Sequence, residues 1–344
     1  MSTLVSEGKV TSEFPIDWAY AYGEPQVEGL FRRQLDDFIV DENLGFELTG
    51  SGEHVYLHIE KRGDNTAWLA RQIARLAEVQ PMDVGYAGLK DRHGVTRQWF
   101  SVYFPKGEEP SWTEINSETV SLLEVCRHNK KLRRGSHASN RFCIRLHDLK
   151  GRLDDLEERL TRVAQQGVPN YFGQQRFGHD GNNLNEAQRL LVEGGKIKNR
   201  QKRGLILSAA RSYLFNRVLS ARVANGSWQT LLGGEPSLPS AQSSESSVLP
   251  TGPLWGRGRP LGAGECEAFE SAELSSLNAW KEGLEHVGLS QERRLLSLVP
   301  EQFSANLDQA SLEVTFCLPP GTYATAILRE LLLLKDVSLQ QDMV

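Results

Sequence analysis

The chain has 344 residues, of which 39% are apolar and 24% are charged, a composition typical of globular proteins and a length that usually supports two domains. No apolar run approaches the roughly 20 residues that a membrane-spanning helix needs, and MSTLVSEGKV lacks the basic head and apolar stretch of a secretory signal. The four cysteines form no C-x-x-C pair and fit no zinc spacing, so we expect reduced thiols, no metal site, no membrane association and a cytoplasmic location.

The first part of the chain predicts strands with one helix among them. Apolar alternation or a continuous apolar run indicates strands at 38–42, 54–60, 98–104 and 141–147. A helix is predicted at 66–79, because apolar residues recur on one face of it: Trp68, Leu69, Ile73 and Leu76.

After residue 150 helical spacing predominates. Helices are predicted from residue 153 and at 183–193 and 205–224, and the Gly-, Pro- and Ser-rich stretch 233–264 predicts an irregular loop. A strand at 311–317 precedes a turn and a helix at about 322–335. Strands therefore lie towards both ends of the chain, which indicates one sheet-containing domain interrupted by a mainly helical insertion.

The net charge of −5 argues against a nucleic-acid partner, but the charges are unevenly distributed. Residues 127–150 contain eight Lys or Arg and one acid, and residues 196–217 contain seven Lys or Arg and no acid. Two such tracts on an acidic chain are typical of a polyanion-binding face. Two solvated surfaces explain the same charges, so both interpretations stay open.

One segment, GYAGLKDRHGVTRQWF at 85–100, predicts a reactive carboxylate. It places Asp91 in a turn among Lys90, Arg92 and Arg97, and nearby cations keep a carboxylate ionised and oriented. A turn also presents a side chain to solvent or to a cleft rather than to a core. Asp91 is therefore a candidate nucleophile, with an ordinary ion-paired surface turn as the alternative.

Two further segments contain side chains suited to RNA. In RRGSHASNRF at 133–142, the arginines suit phosphate contacts, and the amide of Asn140 can read the edge of a base. In PNYFGQQRFG at 169–178, aromatic residues accompany Arg176, and both kinds of side chain can stack on bases. A basic hairpin loop and a packed loop with buried aromatics are the respective alternatives.

Six segments of this chain resemble the signature motifs of the TruD family of tRNA pseudouridine synthases. They occur in the expected order from about residue 31 to 331: FRRQLDDFIVDE, GLKDRHGVTRQWF, RGSHASNRF, PNYFGQQRFG, GPLWG and LPPGTYATAILREL. The resemblance implies an α+β fold. A catalytic module with a mixed, largely antiparallel sheet would span 1–165 and 299–344, and a mainly helical α/β insertion domain would span 166–298.

The resemblance also implies roles for individual residues. The nucleophilic aspartate of the family corresponds to Asp91, its substrate-contacting asparagine to Asn140, and the phenylalanine of its DDF motif to Phe38. The family commonly has Phe where this chain has Tyr323, which keeps a ring for stacking. It often has Lys where this chain has Arg32, a cation of different shape.

Phe142 is a further substrate-binding candidate on which two arguments differ. Strand alternation places it with Ile144 and Leu146 on a face that packs against the core. The resemblance places it close to the active cleft. Because it lies at the start of the predicted strand, both positions stay open.

The function that the resemblance implies is isomerisation of uridine to pseudouridine in tRNA, characteristically at position 13. The uracil leaves the sugar through N1 and returns through C5, so we expect no cofactor. The target nucleotide would be flipped out of the RNA, and the two basic tracts would bind phosphates across a cleft. Asp91 would act on the sugar or the base, or would abstract a sugar proton. The expected partner is tRNA and the expected state is a monomer.

Other classes of function fit the sequence less well. A zinc deaminase needs H-x-E together with P-C-x-x-C, and the chain contains no P-C-x-x-C motif. A glycosidase needs a second cooperating carboxylate, and no obvious one lies beside Asp91. A non-catalytic tRNA-binding module is the remaining alternative, which replacement of Asp91 by Asn distinguishes from an enzyme.

Overall fold

The computed structural model describes residues 13–239 and 248–338. Within these ranges the helices are α1 (Thr66–Leu76), α2 (Leu153–Gln166), α3 (Asn182–Leu191), α4 (Arg200–Ala224), α5 (Gly264–Glu273), α6 (Asn278–Glu285) and α7 (Ala324–Leu331). The strands are β1 (Val27–Phe31), β2 (Phe38–Asn43), β3 (His54–Arg62), β4 (Val84–Tyr86), β5 (Val95–Tyr103), β6 (Val120–His128), β7 (Ser139–Gly151), β8 (Val168–Pro169), β9 (Leu238–Pro239), β10 (Val248–Leu249), β11 (Thr251–Leu254), β12 (Glu292–Leu295), β13 (Ser297–Leu298), β14 (Glu301–Leu307), β15 (Ser311–Leu318) and β16 (Leu333–Asp336).

The chain folds into two units, each packed mainly on itself. Among the described residues, the sheet unit comprises 25–166 and 300–338, and the helical unit comprises 13–24, 167–239 and 248–299. The sheet unit contains one ten-stranded sheet with the central order β14-β15-β7-β2-β5-β3-β6, to which β1, β4 and β16 are added. The pairs β1–β16 and β2–β5 are parallel and the other pairs of this sheet are antiparallel. A mixed sheet accompanied by helices confirms the predicted α+β fold class.

Helix α1 covers one face of the sheet through an apolar stripe. The β3 side chains Val55, Leu57 and Ile59 are completely buried in one cluster with Leu69 and Ile73 of α1. Burying each such side chain contributes roughly 1.5–3 kcal/mol. The Asn65 side chain accepts hydrogen bonds from the first turn of α1 and so fixes where the helix begins. Trp68, predicted to belong to the stripe, is instead 38% exposed.

The predicted helix at 322–335 is too long. Helix α7 ends at Leu331, and Leu332 is extended, with φ −157° and ψ 164°. The next residues form β16, which pairs in parallel with β1. The run of four leucines has no helical periodicity of its own, so the pairing with a distant strand decides its conformation. The stretch 233–264, predicted as loop, contains β9, β10 and β11, and its residues 240–247 lie outside the described residues.

In the helical unit, an N-terminal segment packs on α4 and α6. The Phe14 ring lies 4.8 Å from Trp280 and 5.8 Å from Tyr213, and the Trp18 ring lies 5.5 Å from Tyr213, as measured between ring centroids. Residues 13–24 therefore group with this unit, whereas the catalytic module expected from the resemblance includes them within 1–165. Contacts between aromatic rings distant in sequence decide this. No helix within the described ranges has the length and apolar character that crossing a membrane requires.

Candidate active site

Asp91 lies in the turn between β4 and β5 of the sheet unit. Its side chain is 38% exposed, so the carboxylate is open to a ligand. The Nη2 atom of Arg32 lies 3.5 Å from its Oδ1 atom. The turn therefore presents an accessible carboxylate beside a cation, which is what a carboxylate nucleophile requires.

The cation beside Asp91 is none of the three basic residues that neighbour it in sequence; it is Arg32, a substrate-binding candidate from the resemblance. The three basic residues near it in sequence have other partners: Lys90 pairs with Glu42, Arg97 pairs with Asp41 and Glu60, and Arg92 donates to the main-chain carbonyl of Gly63. Arg32, which lies beside the carboxylate instead, is the residue that immediately follows β1. Proximity in sequence predicted a basic environment correctly but assigned it to the wrong side chains.

Arg32 is held by two aromatic rings. Its guanidinium carbon lies 4.6 Å from the centroid of Phe31 and 4.7 Å from that of Phe38. Only 6% of the residue is exposed, and a second carboxylate, that of Asp336, lies 3.7 Å away. Its backbone has a φ of +59°, an uncommon value for a residue other than glycine. The left-handed turn and the two rings together direct the guanidinium towards Asp91.

Phe38 and Phe142 pack in the layer beneath Arg32. Phe38 is 2% exposed and Phe142 is 7% exposed, and their ring centroids are 6.0 Å apart. Phe142 also contacts Phe316, with centroids 5.5 Å apart. Both candidate rings are thus buried here. Of the two, Phe38 contacts the Arg32 guanidinium, and Phe142 contacts Phe38.

Gly94 is a point where the Asp91 turn approaches Phe38 closely. A Cβ atom at Gly94 would lie 2.5 Å from the main-chain oxygen of Phe38 and 2.8 Å from its ring, whereas one at Gly88 would meet nothing within 4 Å. Gly94→Ala is therefore expected to lower the free energy of unfolding by about 2 kcal/mol, because the turn must move off the sheet. Urea denaturation measures this, with Gly88→Ala as the matched control. Equal stabilities of the two variants would contradict the close approach.

Asn140 joins the site through the register of the sheet. On β7 it lies opposite Glu42 of β2, the residue that pairs with Lys90. The Asn140 Nδ2 atom donates a hydrogen bond of 3.0 Å to Nε2 of His137, while its Oδ1 atom is buried and has no partner among the described residues. Burial, with Lys90 nearby, lowers the pKa of His137, which favours the neutral ring that such a bond requires. An unpartnered buried acceptor costs about 1–3 kcal/mol, and a donor on a ligand would remove that cost.

Tyr323 lies near the same end of the sheet. It is the half-buried residue that immediately precedes α7. It follows β15, whose last residue, Leu318, pairs with Asn140. The structure thus brings together Arg32, Phe38, Asp91 and Phe142 through direct contacts. It links Asn140 to them by strand register, and Tyr323 follows in the adjacent connection.

Lys61 is a component of the site that sequence reasoning missed. It is completely buried, and its Nζ atom donates hydrogen bonds of 2.8 Å to the main-chain oxygens of Asp64 and Asp91. A signal for it exists in the sequence. Strand alternation puts Lys61 on the core side of β3, after the apolar residues Val55, Leu57 and Ile59. A lysine at such a position is rarely buried without a specific partner.

Comparison with known proteins identifies the family. The family described as tRNA pseudouridine synthase D (TruD) matches residues 18–199 and 195–331. The tRNA pseudouridine synthase D of Cellvibrio japonicus is 51% identical over 337 residues, which is 96% of this chain and 97% of that protein. The enzyme of the same name from Methylococcus capsulatus is 48% identical over 332 residues, which is 92% of this chain and 94% of that protein.

A solved structure shares the fold. The crystal structure of the putative tRNA pseudouridine synthase D from Methanosarcina mazei superposes with a TM-score of 0.65, at 19% identity, covering 91% of this chain and 95% of that one. The fold and the sequence matches together define the class of protein, an RNA pseudouridine synthase, which is an isomerase. The chain belongs to the tRNA pseudouridine synthase D (TruD) family, which confirms the resemblance carried by its motifs.

Proposed function

We propose that this protein isomerises uridine to pseudouridine in tRNA, at position 13, with Asp91 as the nucleophile. The observation that carries the assignment of Asp91 is its accessible carboxylate, 3.5 Å from the buried Arg32 guanidinium in a turn of the sheet unit. The sheet unit would be the catalytic module and the helical unit the insertion domain. We further propose that the protein acts in the cytoplasm, as a monomer and without a cofactor.

The reaction requires that the Asp91 carboxylate is charged and that it is correctly oriented. The bond from the sugar to N1 breaks, the uracil turns, and C5 bonds to the sugar. C5 loses its proton to solvent and N1 takes one up, so no external group is consumed. Asp91 would attack the sugar or the base, or would remove a sugar proton, and each step needs a charged and oriented carboxylate. Arg32 supports both requirements, because its charge attracts the carboxylate and its own position is fixed by two rings.

Recognition of the flipped base is assigned to Asn140 and Tyr323. The Asn140 Oδ1 atom is a buried acceptor with no partner in the described chain, so it suits the N3–H group of uracil. Cytosine has no hydrogen at N3, so the same oxygen would disfavour it. Tyr323 would stack on the base. Phe38 would act from beneath by holding Arg32 in place, and Phe142 would support the Phe38 ring.

Binding of the tRNA backbone is assigned to the two basic tracts. In the sheet unit, Arg133 and Arg134 are exposed. In the helical unit, the exposed basic residues lie just before and at the start of α4: Lys196, Lys198 and Arg200. Arg211 instead donates hydrogen bonds to the main-chain oxygens of Leu254 and Ser290. Binding through such residues weakens steeply as the salt concentration rises.

The proposed function is tested by mapping pseudouridine in tRNA. The purified full-length protein is incubated with an unmodified tRNA transcript without any cofactor, and the RNA is digested and analysed by mass spectrometry after pseudouridine-specific derivatisation. We expect modification at one uridine, and none in a transcript with cytidine at that position. If the protein binds tRNA but forms no pseudouridine, the non-catalytic alternative is correct.

A further inference from the structure

Lys61 joins two loops at the base of the candidate site. Its ammonium group donates to the main-chain oxygen of Asp64, which precedes α1, and to that of Asp91. The ammonium has no exposure to solvent, so these bonds form in a medium where charge-assisted bonds are strong. Lys61 is therefore an internal clamp on the backbone of the residue that carries the reactive carboxylate.

Two neutral side chains complete the anchoring of the same turn. The Thr66 hydroxyl accepts a hydrogen bond of 3.1 Å from the Lys90 main-chain nitrogen and donates one of 2.8 Å to Gln98. The Gln98 amide in turn donates to the carbonyl of Gly88, at 3.4 Å. The residues before Asp91 are thus held by neutral groups, whereas the carbonyl of Asp91 itself is held by a charge.

An ammonium group is energetically unfavourable at this buried position. Burying a charge without full compensation costs several kcal/mol, and the core side of β3 otherwise contains apolar residues. A leucine or methionine would fill the same space at lower cost. Residues that break a local rule in this way tend to mark functional sites, and here the ammonium touches the main chain of the candidate nucleophile.

We propose that Lys61 is a positioning residue for the isomerisation, which fixes the main chain of Asp91 so that its carboxylate points at the flipped-out nucleotide. This inference rests on the proposed role of Asp91. Lys61 does not touch the substrate; it acts through the peptide group that it holds. An error of about 1 Å in the position of a reacting group lowers the rate by about 100-fold.

The charge of Lys61 also makes the expected reaction rate depend on pH. Burial lowers the pKa of its ammonium to about 8, although the carboxylates of Asp91 and Asp64 raise it, and the neighbouring charge of Lys90 lowers it further. At pH 7 the group is charged and the clamp is complete. As the pH rises through about 8 the charge is lost and the bond to the Asp91 carbonyl weakens, so the rate should fall on the alkaline side.

The test compares Lys61→Met, which keeps the length of the side chain but removes its charge, with the wild-type protein. We expect the single-turnover rate at saturating enzyme to fall by about 100-fold. We expect the tRNA dissociation constant to stay within about threefold of the wild-type value, because Lys61 does not touch the substrate and tRNA binding before the reaction is unaffected. Hydrogen exchange at residues 88–94 should become faster. The control is Lys106→Met, the same substitution at an exposed lysine of the sheet unit, which should change none of these quantities.

The pH profile provides the second measurement. The wild-type single-turnover rate should fall above about pH 8. In Lys61→Arg this fall should be absent, because a guanidinium stays charged throughout this range. A fall that persists unchanged in Lys61→Arg belongs to another titrating group and overturns the proposal.

The remaining outcomes are also decisive. A folded Lys61→Met protein with the wild-type rate, or one that loses tRNA binding in proportion to its rate, overturns the positioning role. Where the variants fail to melt cooperatively, a wild-type rate that stays flat from pH 7 to 9 overturns it instead. Asp91→Asn is measured in parallel. If it is active, the proposed nucleophile is wrong; if it is inactive while Lys61→Met is fully active, only the positioning role is wrong.

Discussion

Asp91→Asn is expected to abolish pseudouridine formation and to leave tRNA binding intact. The substitution keeps the shape of the side chain but removes the negative charge that any of the open mechanisms requires. A loss of about 10⁴-fold or more in the single-turnover rate is the size expected when a nucleophile is removed. Tritium release from tRNA labelled at C5 of uridine measures the rate, because isomerisation expels that hydrogen.

Two further variants make this result specific. Asp91→Ala removes the charge in a form that cannot revert by deamidation, and it should be equally inactive. Asp83→Asn is the matched control, since Asp83 lies just before β4, ahead of the same turn. It should retain the wild-type rate. Full activity of Asp91→Asn and Asp91→Ala would show that another group reacts, and loss of tRNA binding by both would show that Asp91 is structural.

Glu42→Gln is expected to cause the largest loss of stability among simple charge substitutions near the site. The Glu42 side chain is completely buried and pairs with Lys90, whose side chain is only 6% exposed. It also accepts a hydrogen bond of 3.1 Å from the Trp99 main-chain nitrogen. Removing the carboxylate leaves the Lys90 ammonium buried without a counter-charge, which lowers the free energy of unfolding by about 3–5 kcal/mol. Urea denaturation at neutral pH measures the change.

A double variant distinguishes a lost pair from lost packing. In Glu42→Met with Lys90→Met neither charge remains, so much of the stability should return. The control is Asp154→Asn. Asp154 pairs with Arg152, and both side chains are largely exposed, at 68% for Asp154 and 69% for Arg152. It should leave the free energy of unfolding unchanged within the error of the measurement. A Glu42→Gln protein as stable as this control would contradict the buried pair.

Local patterns in the sequence were sufficient for several features of the fold and of the site. Apolar alternation or a continuous apolar run predicted β2, β3, β5, β7 and β15, and helical periodicity predicted α1 to α4. These patterns succeed because each element must bury one face. The residues on that face recur at a fixed spacing along the sequence, which differs between a helix and a strand. The motif around Asp91 predicted an exposed turn and, with five other motifs, the family.

The tertiary structure alone decided which residues surround Asp91. The sequence assigned its cations to Lys90, Arg92 and Arg97, yet Arg32 lies beside the carboxylate and Lys61 holds the carbonyl. It likewise decided that 333–336 is a strand beside β1 and that 13–24 pack with the helical unit. Each of these outcomes depends on strand register or ring packing between segments far apart in the chain. A pattern of neighbouring residues encodes which face is buried, but it does not encode what that face will meet.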